Sequence, residues 1–411
     1  MLHNIIYINH YAGSDIHGME YRPYYLAREW VKSGHQVTIV ASSFSHIRSK
    51  NIDIKPKQQY HFEDIDGINY IWCKTHPYIS NGIKRALNIF EFLYRLFHLR
   101  HKLIKQTPTI IIASSTYPFD TIFAKYLARK TNAKFIYEVH DLWPLTPIEL
   151  NGMSPYHPFI WLMQRAENYG YKHADKVVSL LPNAKKYMID HGMNENKFHY
   201  IPNGVAVNEN QNNPKTNLVS LPEEHTLIIN NAKKQFKLLV GYAGGMGDAN
   251  ALSYLLDVAK SPKMSQVGFI LVGDGANKSI LSNETKKHQL HNIFFLSPVT
   301  KSQIPSFLDK MNVLYIGWHN LPIYRFGVSP NKIFDYMLAK KPILHSISSP
   351  YDIVKIANCG ISVPAEHITQ IILAITAFIN MDNTEREMLG LNGYNYVIKH
   401  HTYHTLAKSF C

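Results

Sequence analysis

The sequence predicts an α/β protein of two Rossmann-like, doubly wound domains facing a central cleft. Three observations carry this. Short apolar runs of the type buried on both faces of a parallel sheet recur along the 411 residues. Amphipathic helical stretches separate those runs. A polar, turn-rich stretch at 208–217 divides the series in two and reads as a linker. A chain of this length exceeds what one hydrophobic core commonly supports.

The first series opens on the run 5–8. A loop, His10 to Gly18, follows, and then a helix from about Tyr21 to Ser33. Gly34 suits the C-terminal cap, and 36–40 is the next strand, which completes a βαβ unit. Further strands are expected at 109–113, 134–139, 176–181 and 199–202. The second series has strands at 237–242, 268–272, 293–296, 313–316 and 342–344. The expected domains are 1–206, an acceptor-binding unit, and 207–388, a donor-binding unit. The segment 389–411 is expected as a C-terminal helix packing back on the first.

Composition limits function. Cys73, Cys359 and Cys411 are far apart and give neither a disulfide framework nor a metal-binding spacing. Catalytic zinc patterns are absent among the 23 histidines, so no metal is expected. No apolar run is long enough to span a bilayer, the N-terminus reads as a strand, and a cytoplasmic setting is expected. The net charge of +13 calls for an anionic partner. No RNP-type strand, zinc finger or basic arm accompanies it, so nucleic acid is not that partner.

Three constellations can carry chemistry. In the first, Gly244, Gly245 and Gly247 end a strand, which suits either a phosphate loop or a plain tight turn. In the second, Asp274 stands between Gly273 and Gly275, placed to cap the next helix or to touch a ligand. The third runs from Tyr324 to Met337. Ser329 suits an N-cap and Pro330 the first helical position. Lys332 then lies in the first turn, where the helix dipole disfavours a cation unless an anion is close. Asp335, one turn on, could accept hydrogen bonds from two ribose hydroxyls. An ordinary capped helix with a surface Lys and Asp fits the same residues.

The third segment resembles the donor-binding helix of family 4 glycosyltransferases, which have the two-domain GT-B fold. The likeness is nearest to the bacterial O-antigen and capsule transferases of N-acetylfucosamine type. It extends over Tyr21–Pro23, Glu138–Pro144, Leu181–Asn183, Ile201–Gly204, Gly244–Gly247 and Ser329–Asp335 with Lys341-Pro342. The resemblance implies a retaining, metal-free and cofactor-free transferase. Its donor would be a nucleotide sugar, such as a UDP-linked N-acetylated deoxy amino sugar. Its acceptor would be a saccharide on undecaprenyl diphosphate. Asp335 would hold the ribose. Lys332 with the amides of Ser329, Asn331 and Lys332 would hold the diphosphate, approached by the Gly244–Gly247 loop and by Gly13. The backbone of 293–299, ending at Val299, would read the base. His140 and its neighbour Asp141 would lie near the transferred sugar.

Two departures stand out. Gly327 occupies the place of the first acid of the family's E-x7-E motif, and no Arg or Lys follows Gly247. Positive charge would then come from Lys332 and Arg325, although Arg325 also reads as a surface residue. The missing acid leaves open a nucleotide-sugar-binding subunit without activity, and the fold alone leaves open a nucleotide-sugar epimerase. Finally, 81–106 sets Lys84, Arg85, Arg95, Arg100, Lys102 and Lys105 among Leu87, Ile89, Phe90, Phe92, Leu93, Leu96 and Phe97. This reads as a helix on an anionic membrane surface, for a peripheral protein on the inner face, or as a core helix with a solvated basic edge.

Overall fold

The computed structural model describes residues 2–78, 82–207 and 218–410. The chain forms two compact units, 1–206 with 403–411, and 207–402. The linker expected at 208–217 and residue 81 of the basic segment lie outside the described residues.

Unit 1 holds β1 (Asn4–Ile8), β2 (Gln36–Ser42), β3 (Tyr60–Ile65), β4 (Ile68–Cys73), β5 (Ile110–Ala113), β6 (Lys134–Val139), β7 (Lys176–Ser179) and β8 (Phe198–Tyr200). Their order is β3-β4-β2-β1-β5-β6-β7-β8, parallel except for the β3–β4 hairpin. The central strands are apolar and buried on both faces, which is why they are legible as short runs. The hairpin was not expected from the sequence. Its edge strand, Tyr60–Ile65, exposes His61, Phe62 and Asp64 and buries only Ile65. Asp66 and Gly67, both at positive φ, make its two-residue turn.

Unit 2 holds β9 (Leu238–Ala243), β10 (Val267–Val272), β11 (Ile293–Leu296), β12 (Val313–Gly317), β13 (Ile343–Ser346) and β14 (Gly360–Val363). The order is β11-β10-β9-β12-β13-β14, all parallel. Strand order reverses between β1 and β5 in unit 1, and between β9 and β12 in unit 2. Ligands of open parallel sheets bind beyond the strand C-termini at such points.

The boundary expected at 388 moves. Helix Asn383–His400 stays in unit 2, because Gly390 and Gly393 let it lie against its neighbour. A Cβ at Gly390 would stand 2.1 Å from the Lys340 carbonyl oxygen. Only helix Tyr403–Phe410 joins unit 1, against helix Arg22–Lys32. Trp30 Nε1 donates to the Ala407 carbonyl at 3.1 Å, and Phe410 packs on the Trp30 ring.

Candidate active site

Unit 1 builds a buried charge network under His140. Glu138 stands one residue before the end of β6, completely buried, where an unpaired carboxylate would be very costly. Arg22, also completely buried at the start of its helix, answers it: Nε donates to Glu138 Oε1 at 2.9 Å. The rest of the guanidinium donates to the carbonyls of Ile201 and Pro202. Tyr7 and Ser114 hydroxyls also donate to Glu138. Burial pushes this carboxyl up, but Arg22, His140 and Ser114 outweigh it and hold it well below the usual range.

His140 leans on that network. Its Nε2 lies 3.2 Å from Glu138 Oε2 and 2.9 Å from Ser114 Oγ. Two oxygens at one nitrogen place the proton on Nε2, so Nδ1 is the atom left for a ligand. Burial lowers the imidazole's pKa, while the hydrogen bond to Glu138 and that residue's charge raise it further, so the net shift is upward. Asp141 beside it is exposed and makes no hydrogen bond among the described residues; the turn-capping alternative is not realised. Gly13 is buried inside its loop, where a Cβ would stand 1.8 Å from the Gly18 carbonyl oxygen. Its need is the close approach of backbone.

In unit 2 two glycine turns interlock at the ends of β9 and β10. A Cβ at Gly273 (φ +142°) would lie 2.0 Å from the Gly244 carbonyl oxygen. The Asp274 carbonyl accepts from Met246 N at 2.7 Å, and its carboxylate accepts from Gly275 N at 2.8 Å. Asp274 therefore ties the two turns together; the next helix is entered through Asn277 instead. Gly245 is exposed, and a Cβ at Gly247 would meet nothing within 4 Å.

The helix after these turns runs Asn331–Leu338, and Pro330 takes the N-cap position with no side-chain cap. This corrects the expected register by one residue. Proline's fixed φ fits the extended cap conformation here, and Ser329 falls outside the helix. The first amides of the helix have no carbonyl four residues back. Asn331 Oδ1 is buried without a hydrogen-bond partner among the described residues.

Lys332 Nζ donates to Tyr242 Oη at 2.9 Å and to Asn250 Oδ1 at 2.5 Å. Both partners are neutral, and burial pulls its pKa down to about 7. Gly244 leaves room beside the ammonium, since a Cβ there would stand 3.3 Å from Nζ. Asp335, half-buried, is pushed up to about 6 by burial, against a smaller opposing effect from Lys301. Gly327 turns at φ +92°, a conformation that a glutamate would resist. Arg325 is exposed, donates to the Pro322 carbonyl at 2.6 Å and lies against the Phe326 ring. Val299 is half-buried beyond β11. The structure thus brings Lys332, Gly244 and Gly245 together, sets Asp335 one turn from Lys332, and turns Arg325 to the surface.

Sequence reasoning missed Arg22, Ser114 and Glu138 as supports of His140, and Tyr242 and Asn250 as partners of Lys332. A glutamate inside the otherwise uncharged run 135–139 was the one available signal, since it demands a buried cation. Nothing in the sequence marks Tyr242 or Asn250.

Residues 16–209 match the family model described as Glycosyltransferase Family 4. No curated protein matches the chain in sequence. Among solved structures, Anabaena HepE in complex with UDP and glucose aligns at TM-score 0.65 and 13% identity, over 99% of this chain and 97% of its own. Sucrose-phosphate synthase from Thermosynechococcus elongatus aligns at 0.69 and 15%, over 99% and 96%. WaaG, a glycosyltransferase involved in lipopolysaccharide biosynthesis, aligns at 0.65 and 13%, over 98% of each chain. The family match thus covers just under half of the chain, and the chain as a whole has the GT-B fold of these structures. Both bear out the class that the sequence suggested.

Proposed function

We propose that the protein is an active, retaining glycosyltransferase that uses a nucleotide-diphosphate sugar. The observation that carries this is Lys332: a partly buried ammonium at a helix start, beside an open glycine turn, with only neutral partners. A diphosphate would supply the missing anion, met also by the first amides of helix Asn331–Leu338. Asp335 would hold the ribose and Val299 would border the base. HepE, a structural neighbour, binds UDP and glucose.

In this reading the bond from the sugar's C1 to the diphosphate oxygen breaks. The acceptor oxygen bonds to C1 on the same face, and its proton passes to the departing diphosphate. Lys332 and the amides stabilise the charge that grows there, and His140 orients the sugar through Nδ1. Asp141, exposed and unengaged, is the one carboxylate nearby in sequence that could handle a proton. The sugar is proposed to be an N-acetylated deoxy amino sugar, and the acceptor a saccharide on undecaprenyl diphosphate at the inner membrane surface, in O-antigen or capsule synthesis.

The test is a thermal-shift screen of nucleotide sugars, then transfer onto lipid-linked GlcNAc by wild type, Lys332→Ala and Asp335→Ala. Each variant is expected to lose about tenfold or more in kcat/KM. Normal turnover by both would refute the site. Conversion of the donor without acceptor would identify an epimerase, and binding without any turnover an inactive subunit.

A further inference from the structure

Lys332 does not stand alone in its pocket. Its Nζ donates to Tyr242 Oη at 2.9 Å, and that hydroxyl donates to the Gly245 carbonyl at 2.5 Å. The same carbonyl accepts from Asn250 Nδ2 at 2.9 Å, and Asn250 Oδ1 accepts from Lys332 Nζ at 2.5 Å. The four groups close a ring that spans the end of β9, the glycine turn, the short turn Asp248–Asn250 and helix Asn331–Leu338. The Tyr242 ring also lies under the ammonium, 4.5 Å from Nζ. Tyr336, on the same helix, anchors the strand end by accepting from Ala243 N at 2.8 Å.

We propose that Tyr242 and Asn250 are positioning residues for donor binding: they hold the Lys332 side chain beside Gly244 and leave its charge for the diphosphate. This rests on the reading of Lys332 as the diphosphate's cation.

The chemistry of the ring supports the assignment. Every acceptor offered to Lys332 is neutral. No carboxylate lies within 4 Å of it among the described residues. The titratable neighbours, Tyr242 on β9 and Tyr336 on the helix, are both pushed above the ordinary phenol range by burial and stay protonated. An asparagine and a tyrosine can thus fix a lysine in place without neutralising it, as a carboxylate would. The seat also joins cation to loop. Gly245 is gripped from two sides by the partners of Lys332, so the glycine turn and the ammonium keep one relative placement. Because burial already lowers the proton affinity of Lys332, the free protein loses this charge as pH rises above about 7, and an entering diphosphate restores it.

The test uses the full chain with UDP as probe, by calorimetry between pH 7 and 9. The terminal phosphate of UDP, with a pKa of about 6, is fully charged through most of this range. Wild-type affinity should fall by several-fold to tenfold across it. Lys332→Ala should bind at least tenfold more weakly at pH 7 and lose that slope. Asn250→Asp keeps the shape of the side chain, removes its donor to the Gly245 carbonyl and gives Lys332 an internal counter-ion. It should bind UDP at least tenfold more weakly at pH 7, with a flat profile, whereas Asn250→Ala, which removes both contacts without adding a charge, should weaken binding only several-fold and keep the slope. Tyr242→Phe keeps the ring and removes the hydroxyl; it should weaken binding several-fold and keep the slope. Full affinity in Lys332→Ala would overturn the diphosphate reading itself. Loss in Lys332→Ala with wild-type affinity and slope in Asn250→Asp would overturn the positioning role alone.

Discussion

Glu138 and His140 form one unit: the Glu138 Oε2 atom lies 3.2 Å from His140 Nε2, and Arg22 closes the other side of the carboxylate at 2.9 Å. Glu138 lies in the strand and His140 just beyond its end, two residues on, while the cation comes from a helix 116 residues earlier in the chain. His140 thereby keeps its Nε2 proton on Glu138 and Ser114.

Glu138→Gln should therefore act on stability and on His140 together. Arg22 would keep its hydrogen bonds but lose its counter-charge while fully buried, at a cost of about 3 kcal/mol. The pH dependence has two limbs. The folded pKa of Glu138 is depressed, so its contribution is complete above its unfolded value of about 4.3 and is lost as pH falls below that. The folded pKa of His140 is raised, so its smaller contribution is complete below about 6.5 and is lost as pH rises through the folded value. Urea unfolding of both proteins from pH 3 to 9 measures this. A constant difference across that range would refute the network.

Asp335→Asn separates stability from function. Burial raises the folded pKa of Asp335 to about 6, above its unfolded value, so its ionised form weighs against folding. That penalty is absent below the unfolded value of about 3.9 and grows until pH passes the folded one. The amide variant should melt higher than wild type at pH 8 and equally at pH 3.5, yet bind donor at least tenfold more weakly. A lower melting temperature at pH 8 would show a structural carboxylate instead.

The fold was largely legible because its central strands are buried on both faces. Runs such as Ile110–Ala113 and Val267–Val272 carry no polar interruption. Three strands escaped notice: Tyr60–Ile65 is half solvent-facing, Gly360–Val363 is short and only partly buried, and Ile68–Cys73, though largely buried, is interrupted by the exposed Asn69. The site divides in the same way. Lys332 and Asp335 were readable because a helix start gives a lysine and an aspartate a definite electrostatic setting. Asn250 and Tyr242 were not, because their meaning lies in contacts across 82 and 90 residues of sequence. The helix register was misread by one residue because Ser-Pro allows either residue to serve as cap, and only the backbone angles decide.

The basic segment 81–106 divides in a way that its composition conceals. Helix Ile83–Lys105 turns Ile89, Phe92, Leu96, Leu99 and Leu103 into the core. A second stripe, Ile83, Leu87, Phe90, Tyr94 and Phe97, is exposed at spacings of four and three. Several cations are already engaged: Arg85 on Tyr11 Oη, Arg95 on Glu91, and Lys102 over the Phe62 ring. No helix of the described residues is long and apolar enough to cross a membrane. Contact with an anionic surface would then depend chiefly on the exposed stripe, with Lys84 and Lys105 beside it. Ile83 is 81% exposed and Leu87 61%, so replacing both with glutamate leaves the core intact. Each should contribute on the order of 1 kcal/mol to burial in the interface, about thirtyfold in partitioning for the pair. Wild type should float with vesicles containing phosphatidylglycerol and stay behind with phosphatidylcholine alone. Ile83→Glu/Leu87→Glu should stay behind with both and keep its melting temperature. Failure of wild type to float with the anionic vesicles would remove the membrane-surface reading, and flotation of the double variant would move it to another face.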